Sequence, residues 1–265
     1  MSERVLNRRN SLRDSDQYSA RNTSKGALLD ESYQIVGALA SGLAPEKVRE
    51  QAHEGSILRQ KARLSRTTIW RRVNFRLLSH DCRWAIDAIK QAQTAGRYSP
   101  EFVSMIYLLY CLRDHLTFDF ITQWIWPRWN AGQPAVSRDD LLDYLDEASE
   151  TQPQIRRWSE SSRSKLSTSI LTALRDFGLL QGVQKKEVVK PPLPLGTAAT
   201  IVRLLTVEGW RGGDVLEDPT WRLFLLSPNE VAHTLLQLAQ QKRIRFEKAG
   251  DTVVMETPEE WSTNS

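Results

Sequence analysis

The chain has 265 residues, with 36 Lys and Arg against 32 Asp and Glu, which gives a formal net charge of +4. Its hydrophobic content of 40% and charged content of 26% are ordinary for a folded protein. No apolar run approaches the ~20 residues that span a bilayer, and residues 1–10 lack the apolar core of a signal peptide. We therefore expect a cytoplasmic protein that has no membrane partner, and the basic excess favours a polyanionic one.

Residues 1–22 are predicted to form a flexible basic arm, because they carry five arginines and almost no apolar side chain to bury. An N-terminal helical domain is expected over residues 23–131. Its first helices are predicted over residues 28–39, 46–53 and 65–78, with Ser65 as the N-cap of the third.

The third of these helices lies in a strongly basic segment. Between Gly55 and Arg83, eight cationic side chains stand against Asp81 alone. Apolar residues spaced along residues 69–77 predict a buried stripe, so the cations face outward. This pattern predicts a helix-turn-helix-like DNA contact through Arg59, Lys61, Arg63, Arg66, Thr67, Thr68, Arg71 and Arg72. Phe75 lies on the same face, where it either contacts another domain or partner or is a partly exposed ring without consequence.

Three further helices are predicted over residues 84–94, 100–112 and 116–129. This block is rich in aromatic residues but has few Lys or Arg between them. Base-stacking platforms usually interleave aromatic and basic residues, so these rings are expected to belong to the core. Cys82 and Cys111 are too few for a disulfide framework or a metal site and are expected to be buried thiols.

A winged-helix-like domain is expected over residues 132–190. Ser137 caps an acidic helix that ends near Ala148, and Pro153 opens a short helix. In the next helix, Leu166, Ile170, Leu174 and Phe177 form one apolar stripe before Gly178. Residues 179–189 then read as a strand, a polar turn and a return strand, which is the pattern of a wing.

The face opposite that stripe is uncharged or positive, as suits a helix in a DNA major groove. The DNA-binding residues predicted on this face and on the wing are Ser161, Ser164, Lys165, Thr168, Thr172, Arg175, Lys185 and Lys186. An ordinary solvated face would have a similar composition, and winged helices also serve as protein docking modules.

Residues 191–265 are predicted to form a C-terminal helical and winged-helix-like domain after a proline-rich linker. It repeats the order of helix and hairpin, with helices over residues 198–207 and about 231–239 and a hairpin over residues 243–256. The last helix is less basic than the helix of residues 161–177, so protein contact is expected here more than DNA contact.

No combination of residues predicts an active site. No glycine-rich loop has the pattern of a P-loop, and the four histidines are dispersed. Neither the His80-Asp81-Cys82 run nor the acidic residues 139–146 are expected to be catalytic, and the latter are interpreted as a solvated helix face rather than a nuclease metal site. We expect no catalytic residues, metal, cofactor or small-molecule substrate.

Several local motifs together resemble those of the BrxA-type family of BREX phage-defence systems. They are Tyr18-Ser19-Ala20-Arg21, Ser24 to Leu29, Ile57 to Lys61 leading into Ser65 to Thr68 and Arg71-Arg72, and a closing helix and strand over Leu235 to Phe246. The resemblance implies a mostly helical DNA-binding protein that has no catalytic activity and other BREX proteins as possible partners. Residues 84–130 match no pattern of the family.

The predicted fold is mainly α, a helical bundle with helix-turn-helix and winged-helix-like units and small β-hairpin wings. Our leading hypothesis is a non-enzymatic protein of a bacterial phage-defence system that contacts double-stranded DNA mainly through phosphates. Two alternatives stay open. One is an assembly adaptor that docks other defence subunits through winged-helix surfaces, and the other is an RNA-binding helical protein.

Overall fold

The computed structural model describes residues 12–24, 26–183, 185–250 and 252–262. The α-helices within these ranges are Leu29–Ala40 (α1), Pro45–Glu54 (α2), Arg63–Val73 (α3), Arg83–Gln93 (α4), Pro100–Leu112 (α5), His115–Asp119 (α6), Trp126–Asn130 (α7), Arg138–Ala148 (α8), Glu160–Asp176 (α9), Leu195–Val207 (α10), Asp214–Glu217 (α11) and Pro228–Gln240 (α12). The strands are Ala135–Val136 (β1), Leu180–Gln181 (β2), Lys186–Val188 (β3), Arg245–Ala249 (β4) and Thr252–Glu256 (β5). The mainly α fold with small β-hairpins is as predicted.

Helix α5 lies at the centre of the molecule because it is apolar on nearly every side. All of its residues from Phe102 to Leu112 except Val103 are buried. It begins after Ser99, whose hydroxyl accepts a hydrogen bond from the Phe102 amide, and Pro100 fits its first turn. Helices α1, α4, α6 and α10 pack against it. A helix that is hydrophobic on all sides must be buried by neighbouring elements in this way.

Helices α1, α2 and α3, the first three α-helices of the described residues, pack against one another. Helix α3 begins at Arg63 after Ala62, and no side chain caps it. The prediction of Ser65 as its N-cap is therefore wrong. Ser65 lies inside the first turn, because the chain already turns into the helix two residues earlier. After Val73 the helix continues as a π-helical turn over Asn74–Leu78.

Strands β1, β2 and β3 form a three-stranded antiparallel sheet in the order β1-β3-β2. In its register Val136 is opposite Lys186, and Leu180 is opposite Val188. The side chains of Val136, Leu180 and Val188 are buried. Helices α8 and α9 follow β1 and precede β2 in the sequence, and they pack against each other. Ser137 and Asp140 form the expected capping box at the start of α8.

The C-terminal part of the chain packs α10 against α5, α4 and α12. Ser227 and Glu230 form a capping box that begins α12. The two-stranded hairpin of β4 and β5 follows, with Arg245 opposite Glu256. The order of helix and hairpin predicted for this region is therefore present.

Residues 12–22 do not form the predicted flexible arm. Leu12 is fully buried, Tyr18 is 6% exposed, and the Arg13 Nε donates to Glu208 Oε1 at 2.7 Å. The prediction was wrong here because the segment contributes few apolar side chains, but those few are buried and its polar groups bond to distant parts of the chain. Residues 1–11 of the predicted arm lie outside the described residues.

One continuous cluster of buried hydrophobic side chains joins the predicted units. The Tyr107 ring of α5 lies 5.5 Å from the Phe177 ring at the end of α9 and 5.4 Å from the Phe224 ring. The Tyr107 hydroxyl also donates to the Leu223 carbonyl at 2.7 Å. The aromatic residues of the middle block are buried or half-buried against this cluster, as expected for core residues.

Candidate nucleic-acid interface

Helix α9 is held in place by an apolar stripe and by one charged side chain. Leu166, Ile170 and Leu174 are completely buried, as their spacing predicted. Arg163 donates to the Leu142 carbonyl at 3.4 Å and forms an ion pair with Asp146, both on α8. These contacts fix the orientation of α9, and therefore of its opposite face, relative to α8.

The opposite face of α9 carries the residues predicted to contact DNA. The side chains of Ser161, Lys165 and Thr168 are exposed, and those of Ser164, Thr172 and Arg175 are half-buried. The hydroxyls of Thr168 and Thr172 each donate to the carbonyl four residues earlier. Arg175 is paired with Asp176, whereas Lys165 forms no ion pair with any described residue. Lys165 is therefore the cation on this face best placed for an external anion.

This face of α9 borders the N-terminal segment of residues 12–24, a contact that no local sequence pattern predicts. A short 3-10 turn, Ala20–Asn22, packs against α9. A cavity of about 390 Å³ between them is lined by Thr23, Ser24, Gly26, Ser164, Lys165, Thr168, Ser169 and Thr172. The N-terminal segment therefore covers part of the predicted DNA-binding face and leaves a groove rich in hydroxyl groups.

The lysines predicted on the wing lie in the hairpin formed by β2 and β3, which follows α9 in the sequence. Gly182 has φ +91°, and a Cβ there would lie 2.1 Å from the Lys185 carbonyl oxygen, so only glycine fits. Lys185 is exposed. Lys186 is half-buried, and its Nζ donates to the Val183 carbonyl at 2.8 Å. Residue 184 lies outside the described residues.

The second predicted surface is the basic segment between α2 and α3, which pack against each other. Arg59, Lys61 and Arg63 are exposed and form no ion pair with the described part of the chain. Thr67 and Thr68 are half-buried, and the Thr68 hydroxyl donates to the Leu64 carbonyl. These three cations at the start of α3 therefore give a patch of uncompensated positive charge.

Arg66, also predicted to contact DNA, holds the loop before α3. Its Nε donates to the His53 carbonyl at 2.8 Å, and its Nη1 donates to the carbonyls of Gln60 and Lys61 at 2.7 and 2.8 Å. Gly55 lies against the guanidinium, where a Cβ would come within 3.4 Å of it. Three backbone acceptors thus use three of the five N–H donors of Arg66.

Arg76 belongs to the same basic segment but is buried. Its Nη1 donates to the Gly26 carbonyl at 2.9 Å and its Nη2 to Asn22 Oδ1 at 2.7 Å, while its guanidinium lies 4.6 Å from the centre of the Tyr110 ring. Burial lowers the pKa of this guanidinium. Arg76 therefore attaches the N-terminal segment to the core, which no local sequence pattern indicates.

Arg71 and Arg72 lie further along the same region, beside Phe75 and Arg21. Arg71 is exposed, and Arg72 is half-buried. The ring of Phe75 contacts the guanidinium groups of Arg21 and Arg113, at 4.5 and 4.6 Å from its centre. The predicted contact of Phe75 is therefore satisfied by residues of this chain.

A buried polar network, which no sequence pattern predicts, joins the N-terminal segment to α6 and α8. The Tyr18 hydroxyl lies 2.8 Å from Asp119 Oδ2 and 2.8 Å from the Tyr144 hydroxyl, and His115 Nε2 lies 3.2 Å from the same Asp119 oxygen. Burial raises the pKa of Asp119 and raises that of Tyr144 to about 12. The network spans more than a hundred residues of sequence, so only the fold could reveal it.

The two cysteines and the neighbouring histidine are buried or half-buried. Cys82 and Cys111 are buried thiols that form no disulfide, as expected. Burial raises the pKa of Cys82 to about 11 and, together with the charge of Arg113, lowers that of His80 to about 4. Within the described ranges, no group of three or more His, Cys, Asp or Glu is arranged to hold a metal ion. None of the described helices has the length and apolar character needed to cross a membrane.

A similar fold is present in a solved structure of a protein from Magnetospirillum magneticum. The crystal structure of an uncharacterized protein from Magnetospirillum magneticum superposes with a TM-score of 0.62 at 16% identity, covering 79% of this chain and 100% of that one. Comparison with curated proteins gives no match. A family model named BrxA matches residues 16–203, which is most of the chain. The matched region includes most of the N-terminal segment of residues 12–24, the basic segment and the unit of α8 and α9, and the chain therefore belongs to the BrxA family of BREX phage-defence proteins.

Proposed function

We propose that this protein binds duplex DNA, mainly through backbone phosphates and without enzymatic activity, as its role in phage defence. The observation that carries the proposal is the unit from β1 to β3. Its order of strand, helix, helix and hairpin, with the sheet order β1-β3-β2, supports the interpretation of this unit as winged-helix-like. In that arrangement α9 is the helix that would enter the major groove and the hairpin of β2 and β3 is the wing.

The charges on α9 suit this role. Lys165 lies in the second turn of α9, and its side chain is exposed and free of ion pairs with the described residues. The hydroxyls of Thr168 and Thr172 are bonded to backbone carbonyls, which leaves few groups for bidentate base contacts. We therefore expect affinity to come from phosphates and sequence preference to be modest.

The start of α3 offers a second surface for phosphates. Arg59, Lys61 and Arg63 carry positive charge without a carboxylate partner among the described residues. Arg66 donates hydrogen bonds to backbone carbonyls of the loop beside these three residues and so holds that loop in place. Ordered cations on a braced loop lose less conformational entropy when they bind than those on a free arm would.

The decisive experiment measures DNA affinity against salt. Fluorescence anisotropy with a labelled random duplex should show a loss of about 10²–10³-fold between about 50 and 200 mM salt if roughly five phosphates are contacted. Single-stranded DNA and duplex RNA of matched length are competitors in the same assay. Binding of RNA in preference to DNA, or affinity that is weak at every salt concentration, would refute the proposal.

A second function, docking of other defence proteins, is favoured by exposed apolar side chains on the same surfaces. Leu64 at the start of α3 is 78% exposed, and Val183 at the tip of the wing is 74% exposed. Such residues contribute to protein contacts and add little to phosphate binding. Replacing both by Ser should leave DNA affinity unchanged. Loss of co-purification with other BREX proteins in that variant would establish the adaptor role.

A further inference from the structure

A cavity of about 610 Å³ lies between the N-terminal segment and the end of α3. Its lining consists of Ala20, Arg21, Arg71, Arg72 and Phe75. Three of these five residues are arginines, and none of the five is acidic. Cavities of this volume are of the size that holds small ligands.

Aromatic and backbone contacts hold part of this positive charge in position. The guanidinium groups of Arg21 and Arg113 lie over the Phe75 ring, at 4.5 and 4.6 Å from its centre. The Arg113 Nε donates to the Phe75 carbonyl at 3.2 Å, and Arg21 is paired with Asp14 at 2.7 Å. Cation–π contacts of this kind order guanidinium groups while leaving them charged.

The cavity has more positive charge than its surroundings neutralise. Burial and the charges of Arg71 and Arg21 lower the pKa of Arg72. The Nε atom of Arg72 is buried and has no hydrogen-bond partner in the described structure. A buried N–H donor without an acceptor is unfavourable, and an anion in the cavity would supply the acceptor.

We propose that this cavity, the arginine pocket, is a binding site for a phosphate group. Guanidinium forks match the oxygens of phosphate, and a phosphomonoester has up to two negative charges to offset the repulsion among three cations. A carboxylate has one charge and two oxygens and would leave part of this repulsion unrelieved. The phosphate belongs either to a free anion or nucleotide or to the terminus of a DNA strand.

The arginine pocket goes beyond the proposed DNA contacts, although Arg71 and Arg72 also lie on the basic segment. A duplex surface needs no cavity lined by three arginines, because the phosphates of intact DNA are contacted from outside. Binding of inorganic phosphate can therefore be measured without DNA, and its absence would leave the proposed function of α9 unaffected.

The test compares thermal unfolding of the full chain in phosphate and in chloride of equal ionic strength. At phosphate near ten times its dissociation constant, the wild-type midpoint should rise by about 3 °C. Arg71→Gln should abolish this rise. In chloride alone the same variant should be at least as stable as wild type, because it removes a like charge beside Arg72. A residue that only supported the fold would have the opposite effect in chloride.

Arg49→Gln is the matched control, since Arg49 is an exposed arginine of α2 outside the pocket. It should keep the full phosphate-dependent rise. No phosphate-specific rise in wild type, or an equal rise in Arg71→Gln, would overturn the proposal. Calorimetric titrations with inorganic phosphate, adenosine 5′-monophosphate and duplexes with 5′-phosphate or 5′-hydroxyl ends then identify the source. The ligand that binds the wild type most tightly, and that loses its affinity in Arg71→Gln, is then assigned as the source of the phosphate group.

Discussion

Arg66 and Arg76 come from the same basic segment as Arg63 and Arg71, yet they have different physical roles. Arg66 donates to three backbone carbonyls, and Arg76 is buried against Tyr110. Arg63 and Arg71 are exposed and form no ion pair with the described residues. Charge counted along the sequence therefore overstates the charge that is available to a polyanion.

Within the buried network, we expect the free energy of unfolding to depend most on Tyr18. Tyr18→Phe removes the hydroxyl that bonds Asp119 and Tyr144, and we expect it to lower the free energy of unfolding by about 1–3 kcal/mol. Urea denaturation measures this. Tyr98→Phe is the control, because Tyr98 is exposed and bonds Asp30 at the surface. Similar losses in the two variants would contradict a special role for the network.

His80 should make the protein less stable in mild acid. Its pKa lies at about 4 in the folded state because burial and Arg113 disfavour the charged ring, whereas the unfolded chain takes up this proton near 6.5. The unfolded state thus binds more protons between these values, so the stabilisation is present above pH 6.5 and is lost as the pH falls towards 4. It should amount to on the order of 2 kcal/mol.

The measurement is the difference in unfolding midpoint between pH 7 and pH 4.5 for wild type and for His80→Gln. We expect the variant to lose less stability over this interval, since it has no ring to protonate. An identical pH dependence in both proteins would show that His80 does not contribute.

At the scale of elements, α9 combines a buried stripe with a face that borders a second segment. The stripe packs on the sheet and α8, while Ala20–Asn22 lies beside the opposite face. A duplex that reaches this face must share it with the N-terminal segment. The exposed first half of the helix, around Lys165, is therefore the part that we expect to contact DNA.

Replacement of Lys165 tests that orientation. Lys165→Ala should weaken duplex affinity by about fivefold at low salt, and Lys165→Glu should weaken it more because it adds a repulsive charge. Both effects should shrink as salt rises. Lys248→Glu, on the exposed hairpin of β4 and β5, carries the same charge change as a control. Normal DNA binding by Lys165→Glu, with loss of co-purifying defence proteins, would instead make α9 a protein-docking helix.

At the scale of the whole molecule, the segment of residues 12–24 connects parts that are far apart in the sequence. Arg13 contacts Glu208, Asp218 and Thr220 near the C-terminal end. The Asp14 amide donates to the Leu112 carbonyl at 3.1 Å. Through these contacts the segment fastens the N-terminal, middle and C-terminal regions to one another.

Arg13→Leu should loosen this connection. Glu208 and Asp218 are almost completely buried, and without the guanidinium they would lose a cation at a cost of about 3 kcal/mol. Limited proteolysis should then cut faster within residues 12–24. Arg21→Leu is the comparison, because its ion pair with Asp14 is exposed and should contribute little to stability. Equal protection of the segment in wild type and Arg13→Leu would disprove the fastening role.

Much of the local structure could be predicted because its causes are local. The stripe of Leu166, Ile170 and Leu174, the cap at Ser137 and the turn at Gly182 follow from periodicity, hydrogen bonding and backbone geometry within a few residues. The start of α3 differs from the prediction of an N-cap at Ser65, because the helix begins two residues earlier and Arg66 bonds to the backbone of the preceding loop.

The sequence by itself determined which segments form helices and hairpins and where the excess positive charge lies. Only the tertiary structure decided how that charge is used and what becomes of residues 12–24. Hydrogen bonds from Tyr18 to Asp119 and from Arg13 to Glu208 join residues more than a hundred positions apart. Such partners leave no period or spacing in the sequence, since they meet only after the helices have packed.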